Sequence, residues 1–163
     1  MKYTVSIEIA LPRRTVVQLL ADPAHLPQWL RGLVLHEPLS GEHGRPGTTS
    51  RVVLQMGGRT MECTETVTRR EPEDLRDLAQ AGVARFDREI VTDGMWSAVG
   101  DRLTEAGPET TLWESESEYR FSSLPMKLVA LLMPGSFRKQ SRQHMTDFKA
   151  FAEHGTDVRD ATD

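Results

Sequence analysis

Residues 123–154 read SLPMKLVALLMPGSFRKQSRQHMTDFKAFAEH and form the longest helical pattern in the chain. Ser122 or Ser123 can cap the start of this helix, and Pro125 fits its first turn, where a missing N–H costs nothing. Residues 126–133 are apolar on nearly every side, whereas Pro134-Gly135 should kink or break the helix. A helix of this kind needs a large concave apolar surface to lie against.

The second half of the pattern is a solvated helix with one apolar stripe. Its apolar and small side chains recur at spacings of three and four, and charged residues lie between them. Gly155 ends the helix. The stripe consists of Phe137, Ser141, His144, Met145, Phe148, Phe151 and Ala152. We therefore interpret the preceding sequence as a sheet that wraps this helix.

The sequence before the helix alternates as β-strands do. Residues 2–10 place apolar side chains at every second position, and Gly57-Gly58 and Asp93-Gly94 are typical of two-residue hairpin turns. Strands are predicted at 2–10, 33–39, 48–56, 59–68, 83–92, 95–104 and 110–121. Two short helices are predicted between residues 12 and 31, and a helical turn at 75–81.

Hairpin-linked strands followed by one long helix predict an α+β fold. We predict a helix-grip architecture, in which a curved antiparallel β-sheet wraps a long C-terminal α-helix and two short helices follow the first strand. The 163 residues suffice for one domain with a sizeable core. We predict that residues 1–155 form this domain and that 156–163 are a polar, flexible tail.

Composition argues against several classes of function. The net charge is −4 and the basic residues are dispersed, so no nucleic-acid partner is expected. The longest apolar run falls far short of the ~20 residues that span a bilayer, so stable membrane insertion is not expected. The alternating N-terminus does not look like a signal peptide, and the single cysteine, Cys63, fits a reducing compartment, which together predict a cytoplasmic location.

No metal site and no cofactor are predicted. The five histidines lack the spacing of metal ligands, and one cysteine cannot supply a thiolate cluster. The glycine-containing turns do not join a strand to a helix that carries a lysine, so they are not phosphate loops.

The chain resembles the START-like, or SRPBCC, superfamily, and within it the bacterial polyketide cyclase/dehydrase or coenzyme-Q-binding-like branch. The segments that support the resemblance are VSIEIALP at 5–12, LLADP at 19–23, HLPQW at 25–29, GGRTME at 57–62, GMW at 94–96 and the terminal helix. The resemblance spans about residues 2–152 and implies a deep apolar cavity between sheet and helix. It does not imply one function, since this superfamily includes lipid-transfer proteins, cyclases, hydratases, toxins and chaperone-binding modules.

The predicted inward faces are rich in methionine and aromatic side chains. Such side chains make adaptable walls for an apolar ligand, although they can equally fill an ordinary core. Arg102 shares a strand face with Trp96, so it can anchor a ligand oxygen or carboxylate, or else form an outward salt bridge. The predicted ligand-binding residues are Met56, Met61, Trp96, Arg102, Trp113, Tyr119, Phe121, Met133, Phe137, Met145 and Phe148.

Two residues are candidates for acid–base catalysis. Glu65 shares a face with Met61 and Cys63, where apolar surroundings would raise its pKa; alternatively it is exposed at a solvated strand end. Glu62 takes this role if the strand register shifts by one residue. His144, on the apolar side of the last helix, can reach the cavity. Cys63 is expected to be an inert buried thiol, and His36 an exposed or hydrogen-bonded histidine on a weak strand.

Three functions fit these features. The first is a carrier or sensor that encloses a small hydrophobic molecule, such as a lipid, isoprenoid, polyketide or aromatic compound, by burying apolar surface at roughly 25 cal/mol per Å². The second is a cyclase or dehydratase-type enzyme that uses a cavity carboxylate or histidine. The third is a protein-interaction module that docks through the apolar segment at 126–135, with no partner protein that the sequence identifies.

Overall fold

A computed structural model describes residues 1–160 of the chain. Its helices and strands follow the predicted order and, with few exceptions, the predicted bounds. The elements are β1 (Lys2–Ile9), α1 (Arg13–Ala21), a 3-10 helix (Pro23–His25), α2 (Leu26–Trp29), β2 (Leu33–Ser40), β3 (Thr49–Met56), β4 (Arg59–Glu71), a second 3-10 helix (Leu75–Gln80), β5 (Ala84–Thr92), β6 (Met95–Gly107), β7 (Thr110–Phe121), α3 (Leu124–Leu132) and α4 (Pro134–His154).

The seven strands form one curved antiparallel sheet in the order β1-β7-β6-β5-β4-β3-β2. Each strand from β2 to β7 pairs with its neighbours in sequence. Two-residue turns join β3 to β4, β5 to β6 and β6 to β7, whereas β2–β3 and β4–β5 have longer connections. β1 instead pairs with β7, with Tyr3 opposite Ser117, so α1 and α2 carry the chain from one edge of the sheet to the other. The predicted α+β helix-grip fold is confirmed.

The long C-terminal pattern divides into two helices where the sequence predicts a break. The Ser123 side chain accepts a hydrogen bond from the Met126 N–H at the start of α3. Met133 leaves the helical conformation, with φ −131° and ψ 58°, and Pro134 occupies the first turn of α4. Gly155 then ends α4 in the left-handed conformation, with φ 68°.

The core consists of two separate clusters. In the larger cluster, the Phe148 ring of α4 meets the rings of Trp29 and Trp113 edge to face, with centroids 5.2 and 5.4 Å away. The smaller cluster is built on the β3–β4 hairpin from Val52, Leu54 and Cys63, with partly buried neighbours. The space between the concave face of the sheet and α4 borders both clusters.

Residues beyond α4 turn back towards α2. The Val158 N–H donates a hydrogen bond to the Gln28 carbonyl oxygen at 2.9 Å. Residues 161–163 of the predicted tail lie outside the described residues. The proposed division between a domain at 1–155 and a tail at 156–163 stays a prediction.

None of the helices within residues 1–160 has the length and apolar character needed to cross a lipid bilayer.

Candidate functional site

The candidate site is a cavity of about 730 Å³ between the concave face of the sheet and the C-terminal helices. This volume lies within the range of about 300–1,000 Å³ that is usual for small-molecule sites. Strands β3 to β7 form its floor, because alternate residues of each strand point to the concave face. Phe137, Gln140, Ser141, His144 and Met145 of α4 line the opposite side.

The end of the cavity nearest α3 is rich in apolar methionine side chains. The β3–β4 hairpin supplies Met56 and Met61 here, β6 supplies Met95, and α3 supplies Met126. Gln140 of α4 donates a hydrogen bond from Nε2 to the Met56 sulfur at 3.2 Å, so that α4 contacts the far hairpin across the cavity.

A charged network lies on the floor of the cavity. Arg88 of β5 donates from Nη2 to Oδ2 of Asp101 on β6 at 2.9 Å, and its Nη1 lies 3.6 Å from a carboxylate oxygen of Glu65 on β4. The Trp113 indole N–H donates to the other oxygen of Asp101 at 2.9 Å. Since β4, β5 and β6 are adjacent, these three charged side chains meet on one face of the sheet.

Arg88 keeps its positive charge in spite of burial. Only 5% of the Asp101 side chain, 18% of Glu65 and 23% of Arg88 is exposed. Burial acts to lower the pKa of Arg88, but the carboxylates of Asp101 and Glu65 outweigh that effect, so the pKa lies above its ordinary value. The buried Arg88 Nε has no hydrogen-bond partner within the described chain, so the protein does not saturate this guanidinium.

Two groups of histidines line the cavity. Burial lowers the pKa of His144 below its ordinary value of 6.5; Asp147 opposes this shift, and Arg88 and Arg31 reinforce it. Burial also lowers the pKa of His43, whose ring meets that of His36 edge to face at 5.5 Å. His43 and His144 are therefore neutral at pH 7 and able to accept a proton.

A group of hydroxyls connects the sheet to α4 along the cavity wall. Tyr3 donates to the Tyr119 hydroxyl at 3.3 Å, and the oxygens of Tyr3 and Ser141 are 2.9 Å apart. Burial raises the pKa of Tyr119, so this residue stays a phenol that can donate to or accept from a ligand.

Six of the eleven predicted ligand-binding residues line the cavity, and their role in binding stays a prediction. They are Met56, Met61, Trp113, Tyr119, Phe137 and Met145. Phe121 contacts Tyr119 and Phe137, with ring centroids 6.2 and 5.5 Å away. Phe148 is completely buried in the larger core cluster.

Three predicted wall residues point away from the cavity. Trp96 and Arg102 of β6 were expected to face inward, but the inward residues of this strand are Met95, Ser97, Val99, Asp101 and Leu103. A shift of one position reverses the faces of a strand. Trp96 instead lies against the Arg120 guanidinium at 4.6 Å, and Arg102 is exposed opposite Glu114. Met133 is 59% exposed at the junction of α3 and α4.

The two catalytic candidates, Glu65 and His144, both line the cavity. The surroundings of Glu65 differ from the expected apolar ones, because Arg88 lies beside it. Glu62 borders the cavity, but its exposed carboxylate accepts a hydrogen bond from Arg51 at 2.7 Å, which lowers its pKa. Glu65, and not Glu62, is therefore the inward carboxylate. Burial raises the pKa of Cys63 to about 11, which keeps the thiol protonated as expected. His36, expected to be exposed or hydrogen-bonded, is half-buried and lines the cavity.

Sequence reasoning overlooked Arg88, Asp101 and His43. Arg88 stands between Phe86 and Ile90 at alternate positions of its strand, and Asp101 stands between Val99 and Leu103 in the same way. A charged residue within an apolar alternation points into the core and needs a partner there. That signal was present, but the pairing of residues from different strands required the register.

Within residues 1–160, no three or more His, Cys, Asp or Glu side chains are grouped so as to hold a metal ion.

The chain matches one protein-family model over nearly its whole length. A family model described as "Polyketide cyclase / dehydrase and lipid transport" matches residues 1–153. No curated protein matches the chain.

Solved structures share the fold at low sequence identity. The Zhui aromatase/cyclase from Streptomyces sp. R1128 is 13% identical, with a TM-score of 0.74 over 99% of each chain. A START superfamily protein from Mycobacterium smegmatis is 15% identical, with a TM-score of 0.70 over 95% of this chain and 99% of that one. A norcoclaurine synthase point mutant from Thalictrum, in complex with a transition state analogue, is 17% identical, with a TM-score of 0.65 over 96% of both chains.

Proposed function

This chain belongs to the polyketide cyclase / dehydrase and lipid transport family, and from that premise we propose that it encloses one small hydrophobic molecule, as a carrier or a sensor. The ligand class comprises lipids, isoprenoids, polyketides and aromatic compounds. The observation that supports the proposal is the cavity of about 730 Å³, whose wall is mainly apolar and whose floor holds one charged network.

Apolar burial supplies the affinity in this proposal. A ligand that buries about 300 Å² of apolar surface gains roughly 7 kcal/mol, before the costs of association are subtracted. The methionines near α3 let the wall adapt to different shapes, because a thioether side chain is flexible and polarizable.

The charged network orients the ligand. Arg88 already faces two carboxylates, Glu65 and Asp101, so a third carboxylate would add a formal negative charge in a buried region. A neutral acceptor such as a carbonyl or hydroxyl oxygen accepts from Arg88 without that penalty. The proposed ligand is therefore a neutral molecule with an apolar body and an oxygenated group.

A cyclase or dehydratase activity is a second candidate, supported by His144. Its imidazole lines the cavity and is neutral at pH 7, because burial lowers its pKa. A neutral histidine can remove a proton from a bound substrate, and donors such as Arg88 can stabilise the oxygen on which negative charge develops.

The test is native mass spectrometry of the protein purified from its own host, compared with the same sample after denaturing extraction. Val99→Trp places a large ring in the cavity, whereas Ala98→Trp adds the same ring to the neighbouring position, which does not line it. We expect a stoichiometric small molecule with the wild type and Ala98→Trp, and its loss with Val99→Trp. Titration with Nile red, a neutral apolar dye, should give the same ranking. A wild type that neither retains a small molecule nor binds the dye would overturn the proposal.

The same extracts distinguish a carrier from an enzyme. If the protein only binds, Glu65→Gln and His144→Gln should retain the same molecule as the wild type. If it catalyses a dehydration, the inactive variants should retain a precursor that is heavier by one water. A precursor in both variants would favour the enzyme.

A further inference from the structure

The helix α3 is exposed and apolar around most of its circumference. None of its residues is buried, and Leu131 and Leu132 expose 76% and 69% of their surface. A helix in a globular protein ordinarily exposes polar side chains, and a contiguous exposed apolar patch marks a binding surface. We call the following residues the α3 surface: Leu124, Leu128, Val129, Leu131, Leu132 and Met133.

The chain around α3 is basic, whereas the whole molecule is acidic. Residues 119–146 contain five Lys and Arg residues and no Asp or Glu, although the chain carries 24 acidic and 20 basic residues. Lys127 is exposed on α3 itself, and Arg138, Lys139 and Arg142 are exposed on the first turns of α4. In the part of the chain that the structure describes, no ion pair involves these four residues.

We propose that the α3 surface is an interfacial docking site for anionic lipid bilayers. Exposed leucines insert among the acyl chains near the headgroups, while Lys127, Lys139 and the neighbouring basic residues contact lipid phosphates. An apolar helix bordered by exposed basic residues that form no ion pair within residues 1–160 is the combination that holds a protein on an anionic membrane surface. With nine residues, α3 is far shorter than the ~20 residues that cross a bilayer, so it lies in the interface and does not span it.

The position of α3 connects this surface to the cavity. The Ser122 N–H donates to the Gly94 carbonyl oxygen at 2.9 Å, which places the start of α3 on the β5–β6 turn. Met126 of α3 lines the methionine-rich end of the cavity. A bilayer in contact with the α3 surface therefore lies beside the methionine-rich end of the cavity and away from the charged network.

Charge argues against a second copy of this chain as the occupant. A symmetric dimer through the α3 surface would bring the same basic residues of both copies together, and like charges across an interface disfavour association. An anionic lipid surface supplies the opposite charge together with an apolar layer.

The test is flotation of the full chain with vesicles of phosphatidylcholine alone, and with vesicles that contain about one third phosphatidylglycerol. We expect at least a fivefold larger bound fraction on the anionic vesicles, and a loss of that excess at high salt, because salt screens exposed charges. Leu131→Ser/Leu132→Ser should lower binding about tenfold. The matched control is Val34→Ser/Leu39→Ser, which removes two exposed apolar residues of β2 and should leave binding unchanged.

A second pair of variants tests the charge. Lys127→Gln/Lys139→Gln should abolish the preference for anionic vesicles, whereas Arg14→Gln/Arg102→Gln, at exposed positions away from α3, should not. Thermal unfolding and Nile red binding verify that each variant folds and keeps its cavity, so failure here is separate from failure of the ligand proposal. If either double serine variant does not fold, the single changes Leu131→Ser and Val34→Ser replace the two double variants.

Three results would overturn the docking proposal. The first is a wild type that binds neither kind of vesicle. The second is equal loss of binding in the α3 and β2 variants. The third is a monomer–dimer equilibrium in sedimentation that Leu131→Ser/Leu132→Ser abolishes while vesicles bind neither protein, because the occupant would then be a second copy.

Discussion

At the scale of single residues, Arg88 holds two carboxylates on the cavity floor. Replacement by methionine leaves the 5%-exposed Asp101 side chain without its cationic partner. Removing one partner of a buried ion pair costs about 3 kcal/mol, so Arg88→Met should lower the free energy of unfolding by about that amount in urea denaturation.

Arg85→Met is the matched control, in the same strand. Its guanidinium is 4.0 Å from the half-exposed Glu71, and exposed pairs contribute less than about 1 kcal/mol. In Arg88→Met/Asp101→Asn, the amide oxygen can still accept from Trp113 while the unpaired charge is gone, so part of the stability should return. Equal losses in the two single variants would contradict the structural role of Arg88.

His144 predicts how stability depends on pH. Its pKa in the folded protein is below 6.5, so below about pH 6.5 the unfolded chain takes up a proton that the folded protein does not. Stability should therefore be complete above this pH and fall as the pH decreases from 6.5, by at most about 1.4 kcal/mol per pH unit for one histidine. His43 acts in the same direction.

Urea denaturation between about pH 7.5 and 5.5 measures this effect, and the window follows from the ordinary histidine pKa. His144→Gln should show a shallower decline than the wild type, and His154→Gln, whose side chain is 73% exposed, should not. Parallel declines in all three proteins would contradict the assignment. The carboxylates Asp74 and Asp157, with pKa values lowered to about 2, titrate below this window.

Individual side chains were predictable where their own strand settled the question. The inward face of Glu65, Cys63 and Met61 follows from alternation along one strand. Trp96 and Arg102 were assigned to the wrong face of β6, because large side chains occur on both faces of this strand. The large aromatic ring of Trp96 suggested the core. The pairing of Arg88 with Asp101 could not be predicted, since it depends on the register between two strands and not on either sequence alone.

At the scale of elements, the start of α3 depends on Gly94. This glycine has φ +76°, and an added Cβ would lie 2.6 Å from Ser123 Oγ and 2.8 Å from its Cβ. Gly94→Ala should therefore lower the free energy of unfolding by about 1–2 kcal/mol through backbone strain. A further loss is expected because Ser123 must move away from its capping position.

Gly58→Ala separates these two effects in urea denaturation. Gly58 has φ +78°, but nothing lies within 4 Å of an added Cβ, so this variant pays only for strain. The expected difference between the two variants is about 1 kcal/mol, the usual size of a lost helix cap. Ser123→Gly in the Gly94→Ala background should remove much of the difference, and equal effects of the two alanines would contradict the contact.

The bounds of elements that end at glycine- or proline-containing dipeptides were predicted closely. Gly57-Gly58, Asp93-Gly94 and Pro134-Gly135 mark two hairpins and the break between α3 and α4, because each dipeptide fixes a backbone conformation. β4 runs three residues beyond its predicted end, to Glu71. Its last residues are charged and look like a loop, but their backbone pairs with β5, with Arg70 opposite Phe86.

At the scale of the whole molecule, the proposed domain boundary at Gly155 is open to test. A chain truncated after this residue loses the hydrogen bond from Val158 to Gln28, which is worth about 1 kcal/mol. We expect the truncated chain to unfold cooperatively in urea, with a stability within about 2 kcal/mol of the full chain, and to bind Nile red equally well. Loss of a cooperative transition would show that the domain extends beyond 155.

The cavity itself was predictable only through the family resemblance. The volume that remains between sheet and helix is a small difference between the space that the curved sheet encloses and the side chains that fill it. Alternation and helical spacing show which residues face that space, but they do not show how far apart the facing walls stand. The charged network on its floor is a further property of the assembled sheet.

The division of the core into two clusters has a consequence for motion. Strands β2 and β3 pack against the smaller cluster, whereas α4 and β7 pack against the larger one. Parts of a protein with fewer buried contacts open at lower free energy than the rest. Hydrogen exchange should therefore be faster in β2 and β3 than in α4 and β7. A bound molecule that contacts both clusters should slow exchange chiefly on the β2–β3 side. The ligand would then supply the packing that joins the two clusters into one core.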